Sequence, residues 1–105
     1  MRKNVQRVFE AFARFKADKR DRSIWTDGKV VYSYDTCLLV ADPTRRSWVL
    51  NTTRYSPTTT QHQRALRSLL EQTTEVPVDE VMEAPMGVTS AELVALARQG
   101  VAPDA

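Results

Sequence analysis

Residues 23–52 constrain this chain most, because strand-length segments follow one another there with only turn residues between them. Ile24-Trp25-Thr26 leads into Asp27-Gly28, and Lys29-Val30-Val31-Tyr32 follows. A two-residue type I′ hairpin turn needs positive φ at both central positions, and Asp-Gly accepts it. Val30, Tyr32 and Tyr34 alternate with Val31, Ser33 and Asp35, which is the period of a strand. A further strand is expected from Thr36 to Ala41, then turn chemistry at Asp42-Pro43-Thr44-Arg45-Arg46, then a last strand from Ser47 to Asn51. Sequential strands with such short links pair as antiparallel neighbours. The expectation is a three- to four-stranded antiparallel meander with helices covering one face.

Three segments supply those helices. Residues 4–17 place Val5, Val8, Phe9, Phe12 and Phe15 on one stripe at spacings of three and four, with Gln6, Arg7, Glu10 and Arg14 opposite. In residues 57–72, Ala65, Leu66, Leu69 and Leu70 form the apolar stripe. Two cap registers compete there: Ser56 followed by Pro57 at the first helical position, or Thr58 boxed by Gln61. Residues 90–99 carry full punctuation, with Thr89 and Glu92 as a capping box, Val88 and Leu93 as a staple, and Gly100 beyond the end. Between these elements, Lys16–Arg22 reads as a solvated charged connector. Residues 73–88 read as an extended acidic connector, in which Val76, Val78, Val81 and Met82 form a short edge strand or dock irregularly. The fold class is α+β, with a core domain over 1–72 and an acidic connector and short helix over 73–105 packed on the same domain.

Length permits one modest core. No apolar run approaches the roughly 20 residues that cross a bilayer, so no membrane association is expected. Cys37 is the only cysteine, which excludes an intramolecular disulfide and fits a buried residue in a reducing compartment. The expected location is the cytoplasm. Charge is unevenly distributed. Residues 1–67 hold 14 Lys and Arg against 6 Asp and Glu, whereas residues 68–105 hold Arg98 alone against 7 acids. Such a split suits a basic binding face, an acidic tail that screens it, or an acidic partner-binding segment.

The most distinctive stretch runs from Asn51 to Gln63 and joins the last strand to the second helix. With Trp25 before the hairpin and Tyr34-Asp35-Thr36 in the meander, it resembles an uncharacterised family of small proteins from bacteriophages, notably those of actinobacteria, and from mobile elements. That family shows a Tyr-x-Thr and a Tyr-Ser-x-Thr-Thr-x-x-His-Gln pattern. Here Trp25, Tyr34, Thr36, Tyr55, Ser56, Thr58, Thr59, His62 and Gln63 match it, within residues 23–70. The resemblance implies no established activity.

The residues themselves favour a structural role. His62 falls within the apolar stripe of the second helix, near Thr58 and Thr59, where a ring nitrogen finds hydroxyl or backbone partners. Gln63 and Asn51 are placed to tie the loop to the sheet. Ser56 lacks a glycine-rich turn and a neighbouring acid, so hydrolysis is not expected. One histidine and one cysteine build no ordinary zinc site, and no phosphate-cradling glycine motif is present. No enzyme activity, metal or cofactor is expected. Two binding roles remain. The first is a protein-interaction module acting on a host or phage protein through the acidic connector and the short third helix, with Leu93, Val94 and Leu96 as contact residues. The alternative is a nucleic-acid-binding module using Arg45, Arg46, Arg54, Arg64 and Arg67 near Trp48 and Tyr55.

Overall fold

The computed structural model describes residues 2–42, 47–72, 80–84 and 87–99. Helix α1 spans Arg2–Ala13, and strands β1 to β4 span Trp25–Thr26, Val30–Ser33, Thr36–Asp42 and Ser47–Leu50. Helix α2 spans Pro57–Gln72, β5 spans Glu80–Glu83, and α3 spans Ser90–Gln99. The strands form one sheet in the order β1-β2-β3-β4-β5. The α+β class and the four-stranded meander stand as expected. Of the two alternatives for Val81 and Met82, the edge strand is the one formed: they lie in β5, which pairs parallel to β4. A parallel partner needs a crossover, and α2 provides it. Val76 and Val78 lie outside the described residues.

The turn chemistry is placed differently from the sequence reading. Trp25 pairs with Tyr32 and Thr26 with Val31, so three residues, Asp27-Gly28-Lys29, separate β1 from β2 instead of two. Asp27 closes this loop, its carboxylate accepting from the backbone N–H groups of Lys29 and Val30 at 2.9 and 3.0 Å. Gly28 has φ +104, and a Cβ there would stand 3.0 Å from the carbonyl oxygen of Phe15. The tight two-residue turn is Tyr34-Asp35, since Ser33 pairs directly with Thr36. Tyr34 takes φ +55. The extended alternation expected through Tyr34 and Asp35 therefore stops at Ser33.

A bulge between β2 and β3 organises the core. Val31 pairs with Leu39 but Tyr32 with Cys37, which leaves Leu38 as the extra residue. Leu38 and Leu39 consequently lie in the same apolar cluster, while Cys37 and Val40 lie in the other. Asn51 satisfies the acceptors there: its backbone N–H donates to Leu38 at 2.7 Å and its side-chain amide to the Cys37 carbonyl at 2.8 Å.

The first cluster joins Val5, Val8, Phe9 and Phe12 of α1 to Leu66, Leu69 and Leu70 of α2 over one sheet face, with Trp48 in its midst. The second joins Leu93 and Ala97 of α3 to Val30, Cys37, Val40 and Val49 on the other. The expectation of one core is thus corrected to a core on each sheet face. Cys37 through Val40 are all fully buried, and an uninterrupted apolar run is what a strand covered on both sides requires.

The first helix ends at Ala13, four residues before the expected end at residue 17. Lys16 N–H donates to the Ala11 carbonyl at 2.8 Å and Phe15 N–H to Phe12 at 3.0 Å, with Phe15 at φ +59. That is a Schellman motif with phenylalanine where glycine is favoured. Phe15 leaves the stripe and stands 74% exposed. The connector beyond it is not simply solvated. Asp18 exchanges backbone hydrogen bonds with Thr26 and receives Arg7 Nε on its carboxylate at 3.0 Å. Asp21 accepts from Asn4 at 3.1 Å and from Ser23 at 2.8 Å, and these Ser23 bonds hold its carboxyl below the usual range. The segment is drawn back along β1, which fixes where Lys19 and Arg22 sit.

Candidate functional site

Two groups of polar side chains stand out, one closed and one open. The closed group lies where α2 begins. Ser56 caps the helix: its carbonyl accepts from Thr60 N–H at 2.9 Å and its hydroxyl from Thr59 N–H at 3.2 Å. This selects the Ser56-Pro57 register over the Thr58–Gln61 box. Ser56 Oγ also donates to Thr59 Oγ1 at 3.1 Å, Thr59 Oγ1 lies 3.2 Å from Ser33 Oγ, and Ser33 Oγ lies 2.7 Å from His62 Nδ1. The hydroxyl on the imidazole is that of Ser33, which sequence reasoning did not single out. It sits opposite in β2 and is fully buried, as are Thr59 and His62 to within a few per cent. Burial holds the His62 imidazole below its ordinary pKa, partly offset by the charge of Asp21, so the ring is neutral at pH 7. Asn51 and Gln63 complete the block. Gln63 Nε2 donates to the carbonyls of Asn51 and Thr53 at 2.8 and 2.9 Å, and Asn51 Nδ2 to the Tyr55 hydroxyl at 3.0 Å. Thr58 is half-buried beside them. Together these bonds tie the loop and the start of α2 to the sheet.

Cys37 offers no reactive thiol. Burial, then the charge of Asp27, pushes its pKa up to about 12, and thiolate is the reactive form. Among the described residues, no three His, Cys, Asp or Glu side chains gather as a metal would need. No described helix is long and apolar enough to cross a membrane.

The open group is a cleft of about 560 Å³ beside β1, lined by Lys19, Arg22, Trp25, Tyr34 and Asp35. The Trp25 ring stacks on Tyr32 at 4.2 Å between centroids and 14° between planes. Its indole N–H donates to the Tyr34 carbonyl at 2.7 Å, which ties it to the turn. Lys19 Nζ lies 5.7 Å from the Trp25 ring centroid, a cation–π arrangement. Tyr34 stands 51% exposed. Among the described residues, the lining therefore combines aromatic surface, two cations and one carboxylate. Trp25 and Tyr34 belong to the sequence signature. Lys19, Arg22 and Asp35 were not anticipated, because they join the cleft only through the fold-back of the connector and the Tyr34-Asp35 turn.

The other expected surfaces are placed as follows. Leu93 is buried against the sheet, and Val94 and Leu96 are partly buried against the same cluster. The apolar side of α3 is thus covered by its own domain and is not an open contact. Arg45 and Arg46 lie outside the described residues. Arg54 and Arg64 are exposed, and Arg67 pairs with Glu83. Trp48 is no stacking platform, being 5% exposed between Phe9 and Phe12 at centroid distances of 5.5 and 5.1 Å.

No curated protein and no solved structure matches the chain. A family model does, over residues 4–81, which runs from α1 into β5 and so extends beyond the 23–70 stretch singled out in the sequence. Both the buried Ser33–Thr59–His62 block and the cleft beside β1 fall inside that match, and the chain accordingly belongs to this family, a family of unknown function (DUF8033).

Proposed function

We propose that the chain is a non-catalytic nucleic-acid-binding module that meets its ligand at the cleft beside β1. One observation carries this reading: Trp25 and Tyr34 present aromatic surface beside the ammonium of Lys19 and the guanidinium of Arg22. Stacking surface next to cations is the combination that nucleic acids recognise. The backbone of Tyr34 adds weight. A bulky residue at φ +55 is conformationally costly, and Asn or Gly would sit there more easily. Such a residue, half exposed, earns its place by what its ring touches. The basic balance of residues 1–67 supplies a favourable long-range field.

The absence of catalysis is inferred from the closed group. Ser33, the hydroxyl nearest His62, is fully buried, and Ser56 is engaged as a helix cap. A protein partner, the other expectation, has less to hold on to, since the apolar side of α3 faces inward. The resemblance to phage and mobile-element proteins supports a setting in the host cytoplasm.

Titration of a fluorescein-labelled single-stranded oligonucleotide by anisotropy, across a range of salt, tests this. Binding is expected to weaken steeply with salt. The double variant Lys19→Gln, Arg22→Gln is expected to flatten the log–log slope by about 1.4, from about 0.7 per single-strand phosphate contact. Both side chains are exposed, so folding should be unaffected. Absent binding, or an unchanged slope in the double variant, contradicts the proposal.

A further inference from the structure

We infer that the cleft takes one unpaired base of a single strand and that Asp35 reads an exocyclic amino group on it. This rests on the nucleic-acid reading above and makes it specific. The cleft has aromatic surface from Trp25 and Tyr34 at one turn of the sheet. A base can stack on such surface only if it is not already stacked inside a duplex, so the site selects single strands. A volume of about 560 Å³ falls in the range of small-ligand clefts and leaves room for a base with its sugar.

The mixed charge sharpens the inference. Lys19 and Arg22 attract phosphates, but Asp35 repels them. A ligand that fills the whole cleft therefore puts a hydrogen-bond donor, not a phosphate, against Asp35. Cytosine, adenine and guanine carry an exocyclic amine; thymine and uracil carry none, and their one ring donor, N3–H, is flanked by two carbonyl oxygens. An ionised carboxylate accepts only, so it pairs with the amine, whereas at the N3–H of thymine or uracil it also meets the two flanking carbonyl oxygens.

Cytosine and thymine, both pyrimidines, isolate the amine from stacking strength. Oligodeoxycytidine and oligothymidine of about twelve nucleotides, with a mixed-sequence duplex of equal length, are titrated by anisotropy against three proteins: wild type, Asp35→Asn and Tyr34→Asn. Wild type is expected to bind oligodeoxycytidine about tenfold more tightly than oligothymidine, and the duplex more weakly than either. Asp35→Asn should reduce the preference to about twofold or less, since an amide donates to a thymine carbonyl as readily as it accepts from cytosine. Tyr34→Asn retains a residue suited to the left-handed backbone while removing the ring, so it should fold and should bind both strands about tenfold more weakly. Equal affinity for the two strands, a preference that survives Asp35→Asn, or duplex binding as tight as single-strand binding overturns this inference and leaves nucleic-acid binding standing. No binding to any of the three overturns both.

Discussion

Replacing Trp48 with alanine is expected to lower the stability of the fold by about 3–5 kcal/mol. The indole is 5% exposed and lies edge-on to Phe9 and tilted against Phe12, so its removal empties the centre of the α1–α2 side of the sheet. Nothing adjacent can collapse into that volume without moving α1, because Val5, Val8, Phe9 and Phe12 are themselves packed. A domain of this size has about 5–15 kcal/mol in total, so much of it would be lost. The check is the midpoint of urea unfolding with the slope held in view. A loss under about 1 kcal/mol would mean that Trp48 is peripheral, and would restore it as a candidate stacking surface.

Acid should destabilise the fold through His62, with a limit of about 1.4 kcal/mol per pH unit for one proton. The sign follows from burial, which lowers the folded pKa below the ordinary 6.5. The unfolded chain takes up a proton as pH falls through about 6.5, whereas the folded chain holds out to lower pH. Stability is therefore full above the unfolded pKa and declines below it until the folded ring also titrates. Attribution is clean because the chain has a single histidine. Asp21 acts in a separate window, below its ordinary value, since its folded pKa is also lowered. Thermal melts between pH 5 and pH 7.5 should show the decline in wild type, and it should vanish in His62→Gln. A decline of equal size in His62→Gln would assign the effect elsewhere.

Much of the architecture was legible because the signals were local. Apolar periodicity located three helices, and the Thr89 and Ser56 caps appear in the structure as hydrogen bonds to Glu92 and Thr59 N–H groups. What escaped notice depended on partners distant in sequence. Asp27-Gly28 has the composition of a two-residue turn, yet Thr26 Oγ1 and the Asp27 carboxylate stabilise a longer loop that also accommodates the Phe15 carbonyl against Gly28. The tight turn then falls on Tyr34-Asp35, whose residue types do not advertise it. Phe15 fits a helical stripe by spacing, but the Schellman closure releases it. His62 was legible as a buried residue on an apolar face, whereas its partner Ser33 required the packing of α2 on β2. The cleft was least legible. Its cations and its carboxylate come from a charged connector and a turn, and contacts distant in sequence, such as the bridge from Asp18 to Thr26, bring the connector beside the sheet.

The measurement that bears most directly on the binding role is a ¹⁵N-¹H correlation spectrum recorded while a short single-stranded oligonucleotide is added. The chain has two tryptophans, so two indole N–H resonances report independently on the cleft and on the core. The Trp25 indole should move, together with the amides of Lys19, Arg22, Tyr34 and Asp35, while the Trp48 indole stays fixed. A stationary Trp25 indole, or shifts gathered along α3 instead, would contradict it.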